Sequence, residues 1–98
     1  MSIEEFRQLR ADKPPPGMSG ALVALLHDAQ GDWAGAHQSA QEEETPDGAW
    51  VHAYLHRKEG DLGNAAYWYH RAGRSIPKCG LEAEWEQIAR ELLKAYEP

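Results

Sequence analysis

Apolar residues recur at three- and four-residue steps through most of the chain, a spacing that predicts helices. Towards the end, Leu81, Trp85, Ile88, Leu92 and Tyr96 fall on one helical stripe with charged residues between them. No stretch shows the strict alternation of apolar and polar residues that is typical of a half-buried strand. The pattern therefore predicts an all-α fold.

Prolines, glycines and capping residues divide this pattern into segments of a single domain. The divisions predict an arm helix over residues 1–10, a proline-rich linker over 11–17, a first helical hairpin over 19–44, a second over 47–77, and a capping helix over 81–96. Three consecutive prolines make the linker stiff, so the arm helix is expected to be detachable. Asp47 is expected to cap the first helix of the second hairpin.

The two predicted hairpins share an internal repeat. The segment from Leu26 to Ala40 recurs in outline from Leu55 to Tyr69, with Leu-His, Gly-Asp and then a small residue at the same relative positions. A two-helix unit of this length cannot bury its apolar face alone and has to stack on a neighbour. The repeat therefore predicts a short helical array. Because two repeats are few for a stable stack, the chain is also predicted to be a structural protein that associates with itself as a homodimer.

Six residues of the second hairpin resemble the second half of a tetratricopeptide repeat. They are Gly60, Asp61, Ala65, Tyr69, Ala72 and Pro77. The strings GDWAGAH and DGAWVHAYLHRKEGDLGNAAYWYHRAG also resemble a family of small uncharacterised bacterial proteins. The tetratricopeptide resemblance implies a right-handed stack of two hairpins, with the second and fourth helices lining a concave side.

The same resemblance implies a protein-interaction module, a scaffold or adaptor that holds a peptide or protein segment in the concave groove. The residues that it places there are Leu25, Asp28, Trp50, Tyr54, Arg57 and Lys58. The sequence contains no Ser-His-Asp arrangement with a nucleophile elbow and no phosphate-binding glycine loop, so we assign no catalytic residue and no cofactor, and enzyme activity is not the expected function.

Aromatic residues on the fifth helix are too widely spread for one buried stripe. Tyr67, Trp68, Arg71 and Arg74 are therefore predicted to form a secondary surface of the aromatic and basic kind that is enriched at interfaces. The alternative is that Trp68 packs beneath the last helix against Trp85.

Histidines offer a different function. His52, His56 and Glu59 lie at positions i, i+4 and i+7 of one helix, a spacing that can bring two imidazoles and a carboxylate to one metal ion. A further ligand would come from His27 or Asp28. This pattern predicts, as an alternative, a metal-binding protein or a metal-assisted hydrolase. Two readings compete with it: the histidines only fill the space between helices, or His37, His56 or His70 acts with a carboxylate in acid-base chemistry.

The amino-acid composition argues against some classes of binding partner and indicates a cellular location. The 16 acidic and 10 basic residues give a formal net charge of −6, which repels nucleic acid and anionic membrane surfaces. The longest apolar run, from Ala21 to Leu26, is too short to span a bilayer, and the charged start MSIEEFRQLR is unlike a signal peptide. A single cysteine, Cys79, fits a reducing compartment, so a cytoplasmic location is expected.

Overall fold

The computed structural model describes residues 1–96, and every regular element in that range is an α-helix. The helices are α1 (Ile3–Arg7), α2 (Gly20–Ala29), α3 (Trp33–Glu42), α4 (Pro46–Lys58), α5 (Leu62–Ala72) and α6 (Leu81–Tyr96). The predicted all-α fold is confirmed. Within the described range, no helix has the length and apolar character needed to cross a lipid bilayer.

The first helix begins as its sequence predicts and ends earlier. Ser2 and Glu5 form a reciprocal capping box, with both hydrogen bonds at 3.0 Å. The helix ends at Arg7, although the pattern predicted an arm helix over residues 1–10. The arm is docked, because its residues Ile3 and Phe6 are buried.

The fourth helix begins slightly before the predicted position. Thr45 is its cap, since the Thr45 hydroxyl accepts a hydrogen bond from the backbone amide of Gly48 at 3.2 Å. Pro46 then occupies the first turn, where a missing backbone N–H has no helical partner to lose. The prediction that Asp47 is the cap is therefore wrong, and Asp47 lies in the first turn instead.

The repeated Gly-Asp pair makes the same turn in both hairpins. Gly31 and Gly60 have φ angles of 79° and 87°, in the left-handed region that favours glycine. The aspartate that follows each glycine caps the next helix: Asp32 accepts from an amide at 2.9 Å and Asp61 at 3.3 Å. The chain thus reverses between α2 and α3, and again between α4 and α5.

The central helix of the molecule is α4. It pairs with α5 as one hairpin and also contacts α2 and α3, which form the other hairpin, and α6. Val51, Ala53 and Leu55 of α4 are fully buried in the common core. The two helical hairpins are confirmed, whereas their tetratricopeptide-like stacking stays a prediction.

The last helix, α6, packs across α2 and α4, and α1 packs against both α2 and α6. Trp85 of α6 donates its indole hydrogen to the backbone carbonyl of Leu25 at 3.0 Å. The Phe6 ring of α1 lies 5.8 Å from the Trp85 ring, measured between centroids. These contacts place α6 over the side of α2 and α4 that was expected to be concave and open.

Candidate functional site

The residues expected to line an open groove lie beneath α6. Leu25, Trp50 and Tyr54 are at most 4% exposed. The Tyr54 hydroxyl donates to Oδ2 of the buried Asp28 at 3.0 Å, and the Lys58 ammonium donates to Oδ1 at 2.7 Å. Asp28 and the Tyr54 hydroxyl are therefore paired in the interior, whereas Lys58 reaches Asp28 from an exposed position.

A second buried pair joins α4 to α6. Nη1 of Arg57 lies 2.6 Å from Oε1 of Glu84, whose side chain is 2% exposed. The Tyr69 hydroxyl donates to the other Glu84 oxygen, and Arg57 also donates to the carbonyl of Cys79. A buried carboxylate is stable when donors surround it in this way. The hydrogen bond that Arg57 donates to Glu84 raises the pKa of Arg57 above its ordinary value.

Burial raises the pKa of both tyrosine hydroxyls in these networks. It raises the pKa of the Tyr54 hydroxyl, and the neighbouring Asp28 carboxylate raises it further. Burial and then the hydrogen bond to Glu84 raise the pKa of Tyr69. Both hydroxyls therefore keep their hydrogens and act as donors to the carboxylates.

Part of the predicted groove is closed, because α6 packs over α2 and α4 and Leu25 is fully buried; Asp28, Tyr54 and Lys58 still border a cleft of about 360 Å³. The residues that the prediction concerned are Leu25, Asp28, Trp50, Tyr54, Arg57 and Lys58. A peptide could reach the buried ones only after α6 had moved away, which would break the hydrogen bonds of Arg57 and Tyr69 to Glu84. Binding of a protein or peptide partner stays a prediction, as does self-association.

The predicted secondary surface is divided in two. Arg74 lies 3.7 Å above the Trp50 ring and pairs with Glu91 of α6 at 2.9 Å. Tyr67 and Arg71 are exposed and contact each other. Trp68 stacks on His52 with ring centroids 4.1 Å apart. The alternative in which Trp68 packs against Trp85 is therefore wrong.

Three histidines converge where α3 meets α4. One nitrogen from each of His37, His52 and His56 lies within 4.8 Å of the other two. The His52 and His56 rings stack with centroids 4.8 Å apart, and the His37 ring meets both edge-on at 4.8 and 5.0 Å. We call this group the histidine cluster.

Helical spacing and small neighbours explain the convergence. His52 and His56 are four residues apart on α4, so they lie on one face of the helix. On α3, Ala36 and Ala40 are buried beside His37, and small residues let two helix backbones approach closely. The Trp33 ring lies 5.3 Å from the His37 ring at one end of the cluster, while Trp68 stacks on His52 at the other.

Most ring nitrogens of the histidine cluster have no hydrogen-bond partner in the described part of the chain. Within residues 1–96, no hydrogen bond reaches a ring nitrogen of His37 or His52. Nδ1 of His56 lies 2.7 Å from Oε1 of Glu59. An ionised carboxylate can only accept, so this Nδ1 carries the hydrogen, and in the neutral ring the Nε2 lone pair is free. A carboxylate that orients an imidazole in this way is common beside metal-ligating histidines.

The environment favours uncharged imidazoles in the cluster. Burial lowers the pKa of His52 to about 4, and the adjacent His37 and His56 contribute to the decrease. Burial also lowers the pKa of His37, with His56 adding to the effect and Glu59 opposing it. His52 and His37 are therefore neutral near pH 7, which is the form that binds metal ions.

The sequence identified part of this site. It joined His52 and His56, as the structure does, and added Glu59, which lies against His56 and forms a more exposed group with His56 and Asp61. The two proposed further ligands are elsewhere: His27 lies 3.1 Å from Asp32, and Asp28 is paired with Tyr54 and Lys58.

The third member of the cluster, His37, was missed as a ligand. The sequence offered it only for acid-base chemistry. The available signal was its spacing from Trp33 and Ala40, which puts all three on one stripe of α3. That stripe faces α4, but the sequence alone does not say which α4 side chains it meets.

The cluster borders an open cleft of about 700 Å³. Its lining includes His52 of α4, Trp68 and Arg71 of α5, and residues 43–46, which connect α3 to α4. The buried ring of His52 therefore forms part of a wall that a small molecule can reach from solvent.

Comparison of the chain with models of protein families, with curated proteins and with solved structures gives no significant match. The two family resemblances and the cytoplasmic location stay predictions. What the histidine cluster does has to be inferred from its own geometry and chemistry.

Proposed function

We propose that this chain binds a transition-metal ion through His37, His52 and His56. The observation that carries the proposal is the convergence of three imidazoles from two packed helices, two of them without a hydrogen-bond partner among residues 1–96. Within the described chain, no fully buried side-chain nitrogen lacks a hydrogen-bond partner, so the free ring nitrogens of His37 and His52 reach solvent and an ion can approach them. A metal ion would give each of these nitrogens a partner.

The donor set favours particular metals. Imidazole nitrogens suit Zn²⁺, Cu²⁺, Ni²⁺ and Fe²⁺, whereas Ca²⁺ and Mg²⁺ prefer oxygen ligands. In a tetrahedral zinc site with bonds of about 2.0–2.1 Å, ligand nitrogens lie about 3.4 Å apart. The cluster nitrogens lie within 4.8 Å of one another, so side-chain rotations that shorten these distances by up to about 1.4 Å would complete the site.

Three protein ligands also leave one tetrahedral position for another group. Catalytic zinc sites have this arrangement, whereas structural zinc sites use four protein ligands. Glu59 supports the proposal as an outer carboxylate that fixes the orientation of His56. A hydrolytic activity, predicted alongside metal binding, would use a water molecule in the remaining position.

Calorimetric titration with Zn²⁺ tests the proposal on protein purified without an affinity tag. We expect one ion per chain. Replacing His37, His52 or His56 by Gln should weaken binding by at least about 100-fold, because outer-shell changes alone cost 10- to 100-fold. His27→Gln and His70→Gln are matched controls outside the cluster and should bind as the parent protein does. Absence of Zn²⁺ uptake, or equal losses in the controls, would contradict the proposal.

A further inference from the structure

The imidazole of His52 is held in the histidine cluster without a hydrogen bond. A metal-ligating histidine usually donates the hydrogen of its other ring nitrogen to a carboxylate, a carbonyl or water, and this partner fixes the orientation of the ring. His56 has such a partner in Glu59, at 2.7 Å. Within residues 1–96, no hydrogen bond reaches the ring of His52. Other contacts therefore determine how His52 presents its nitrogens.

Two rings lie nearly parallel to the His52 imidazole. The Trp68 ring is 4.1 Å away between centroids, with 29° between the planes, and the His56 ring is 4.8 Å away, with 23°. The His37 ring meets His52 edge-on instead, at 88°. Stacked and edge-to-face pairs of rings are both favourable arrangements. Tilting of the His52 plane would weaken these contacts, whereas a shift of the ring within its own plane would preserve the stacking.

Trp68 is the one stacking partner of His52 that is not itself a predicted metal ligand. It comes from α5, whereas the three histidines come from α3 and α4. The Arg71 guanidinium carbon lies 5.1 Å from the centroid of the Trp68 ring, and the Tyr67 ring meets Trp68 edge-on at 5.3 Å. These neighbours on α5 restrain the half-buried Trp68 ring without any contribution from the cluster.

We infer that Trp68 is a positioning residue of the metal site, which fixes the plane of the His52 imidazole by stacking on it. The inference rests on the proposed metal site and extends it to a residue that does not touch the ion. A ligand that is already oriented loses less conformational freedom on binding, so affinity is higher. Because His52 keeps its plane, the half-buried His37 is expected to make most of the movement that brings the nitrogens together.

Calorimetric titration of tag-free variants with Zn²⁺ tests this role. Trp68→Phe retains an aromatic ring against His52 and should lower the affinity by at most about threefold. Trp68→Leu removes the ring and should lower it by about tenfold or more, as the loss of an outer-shell partner does. Tyr96→Leu is the matched control, because it removes a half-buried ring from α6, away from the cluster, and should bind Zn²⁺ as the parent does.

Proton NMR supplies a readout that a general loss of stability does not produce. Hydrogens that lie over the face of an indole ring resonate at higher field. The ring C–H signals of His52 should therefore lie at higher field than those of His27 and His70 in the parent protein. In folded Trp68→Leu they should move downfield, while the signals of His27 and His70 stay in place.

The outcomes separate the role of Trp68 from the metal site itself. If the parent protein takes up no Zn²⁺, both proposals fail. If the parent binds Zn²⁺ and Trp68→Leu binds it equally well, or loses no more affinity than Tyr96→Leu, only the role of Trp68 is overturned. Equal losses in Trp68→Phe and Trp68→Leu would also overturn it. Should Trp68→Leu fail to fold, a tenfold loss in Trp68→Phe, or His52 signals at the same field as those of His27, would have the same effect.

Discussion

The polar groups on the two sides of α4 differ in how many hydrogen bonds they make. On the side covered by α2 and α6, Asp28 and Glu84 each accept hydrogen bonds from two neighbouring side chains. On the side facing α3 and α5, the imidazoles of His37 and His52 have ring contacts but no hydrogen bonds within the described chain. The polar groups on one side of α4 are thus paired with one another, whereas the ring nitrogens of His37 and His52 on the other side are unpaired within the described chain and reach solvent.

This difference indicates which polar groups hold the helices together and which are available to bind a ligand. A fully paired buried network fixes the position of one helix on another and is destabilised strongly when one member is removed. Polar groups beside a cleft that have no partner in the protein add little to its stability and are available to a ligand. We therefore assign the Asp28 and Glu84 networks to the fold, and the histidine cluster to a ligand.

The largest effect is expected from removing the charge of Glu84. In the Glu84→Leu variant, Arg57 and Tyr69 lose their buried acceptor, so the free energy of unfolding should fall by about 3–5 kcal/mol. Urea denaturation measures it. Glu91→Leu changes an exposed glutamate of the same helix and should alter stability by less than about 0.5 kcal/mol. A loss below about 1 kcal/mol in Glu84→Leu would show that the network is not structural.

The same kind of substitution in the cluster should have the opposite outcome. His52→Leu replaces an imidazole that makes no hydrogen bond within the described chain by an apolar side chain of similar size, so the metal-free protein should be as stable as the parent or up to about 1 kcal/mol more stable. Its Zn²⁺ affinity should nevertheless fall by at least about 100-fold. Urea denaturation and calorimetry measure the two quantities. A clear loss of stability would mean that the cluster is a structural element like the Glu84 network.

Acid should weaken the folded protein through His52 of the histidine cluster. The pKa of His52 is lowered from 6.5 to about 4 in the folded protein, so the unfolded chain takes up the proton first. The contribution of neutral His52 to the free energy of unfolding is complete above pH 6.5 and is lost progressively as the pH falls from 6.5 towards 4. We expect His52→Leu to reduce the slope of stability against pH in this window, measured by urea midpoints. Identical slopes in the two proteins would refute this role for His52.

A smaller difference is expected between two tyrosines. Tyr54→Phe removes a buried hydrogen bond to Asp28 and should cost about 1 kcal/mol of stability. Tyr67→Phe removes a hydroxyl at the exposed surface of α5 and should change stability by no more than a few tenths of a kcal/mol. Thermal or urea unfolding measures both. Equal effects would indicate that the paired side of α4 is no more tightly organised than the surface.

The sequence predicts the helices and hairpins well because their signals are local. The capping box at Ser2, the turn glycines Gly31 and Gly60, and the stripe of α6 each depend on residues within a few positions of one another. The cap of α4 is harder to predict, because Thr45 and Asp47 are both good capping residues. Only the position of Pro46 in the first turn distinguishes them.

Tertiary pairings are less accessible. The amphipathic stripe of α6 shows that this helix buries one face, but not that it covers the groove between α2 and α4. Arg57 and Glu84 are 27 positions apart, and each alone resembles an ordinary surface charge. For the same reason the i, i+4 spacing identifies His52 and His56 as neighbours, while His37 requires knowledge of how α3 packs against α4.

The most direct test of the metal site is a long-range ¹H–¹⁵N correlation spectrum of the imidazoles, recorded as one equivalent of Zn²⁺ is added to the tag-free protein. The chain has five histidines, so His27 and His70 serve as internal controls. We predict that the ring nitrogen signals of His37, His52 and His56 change together and that those of His27 and His70 do not. Unchanged signals from the cluster, or equal changes at all five rings, would contradict the account.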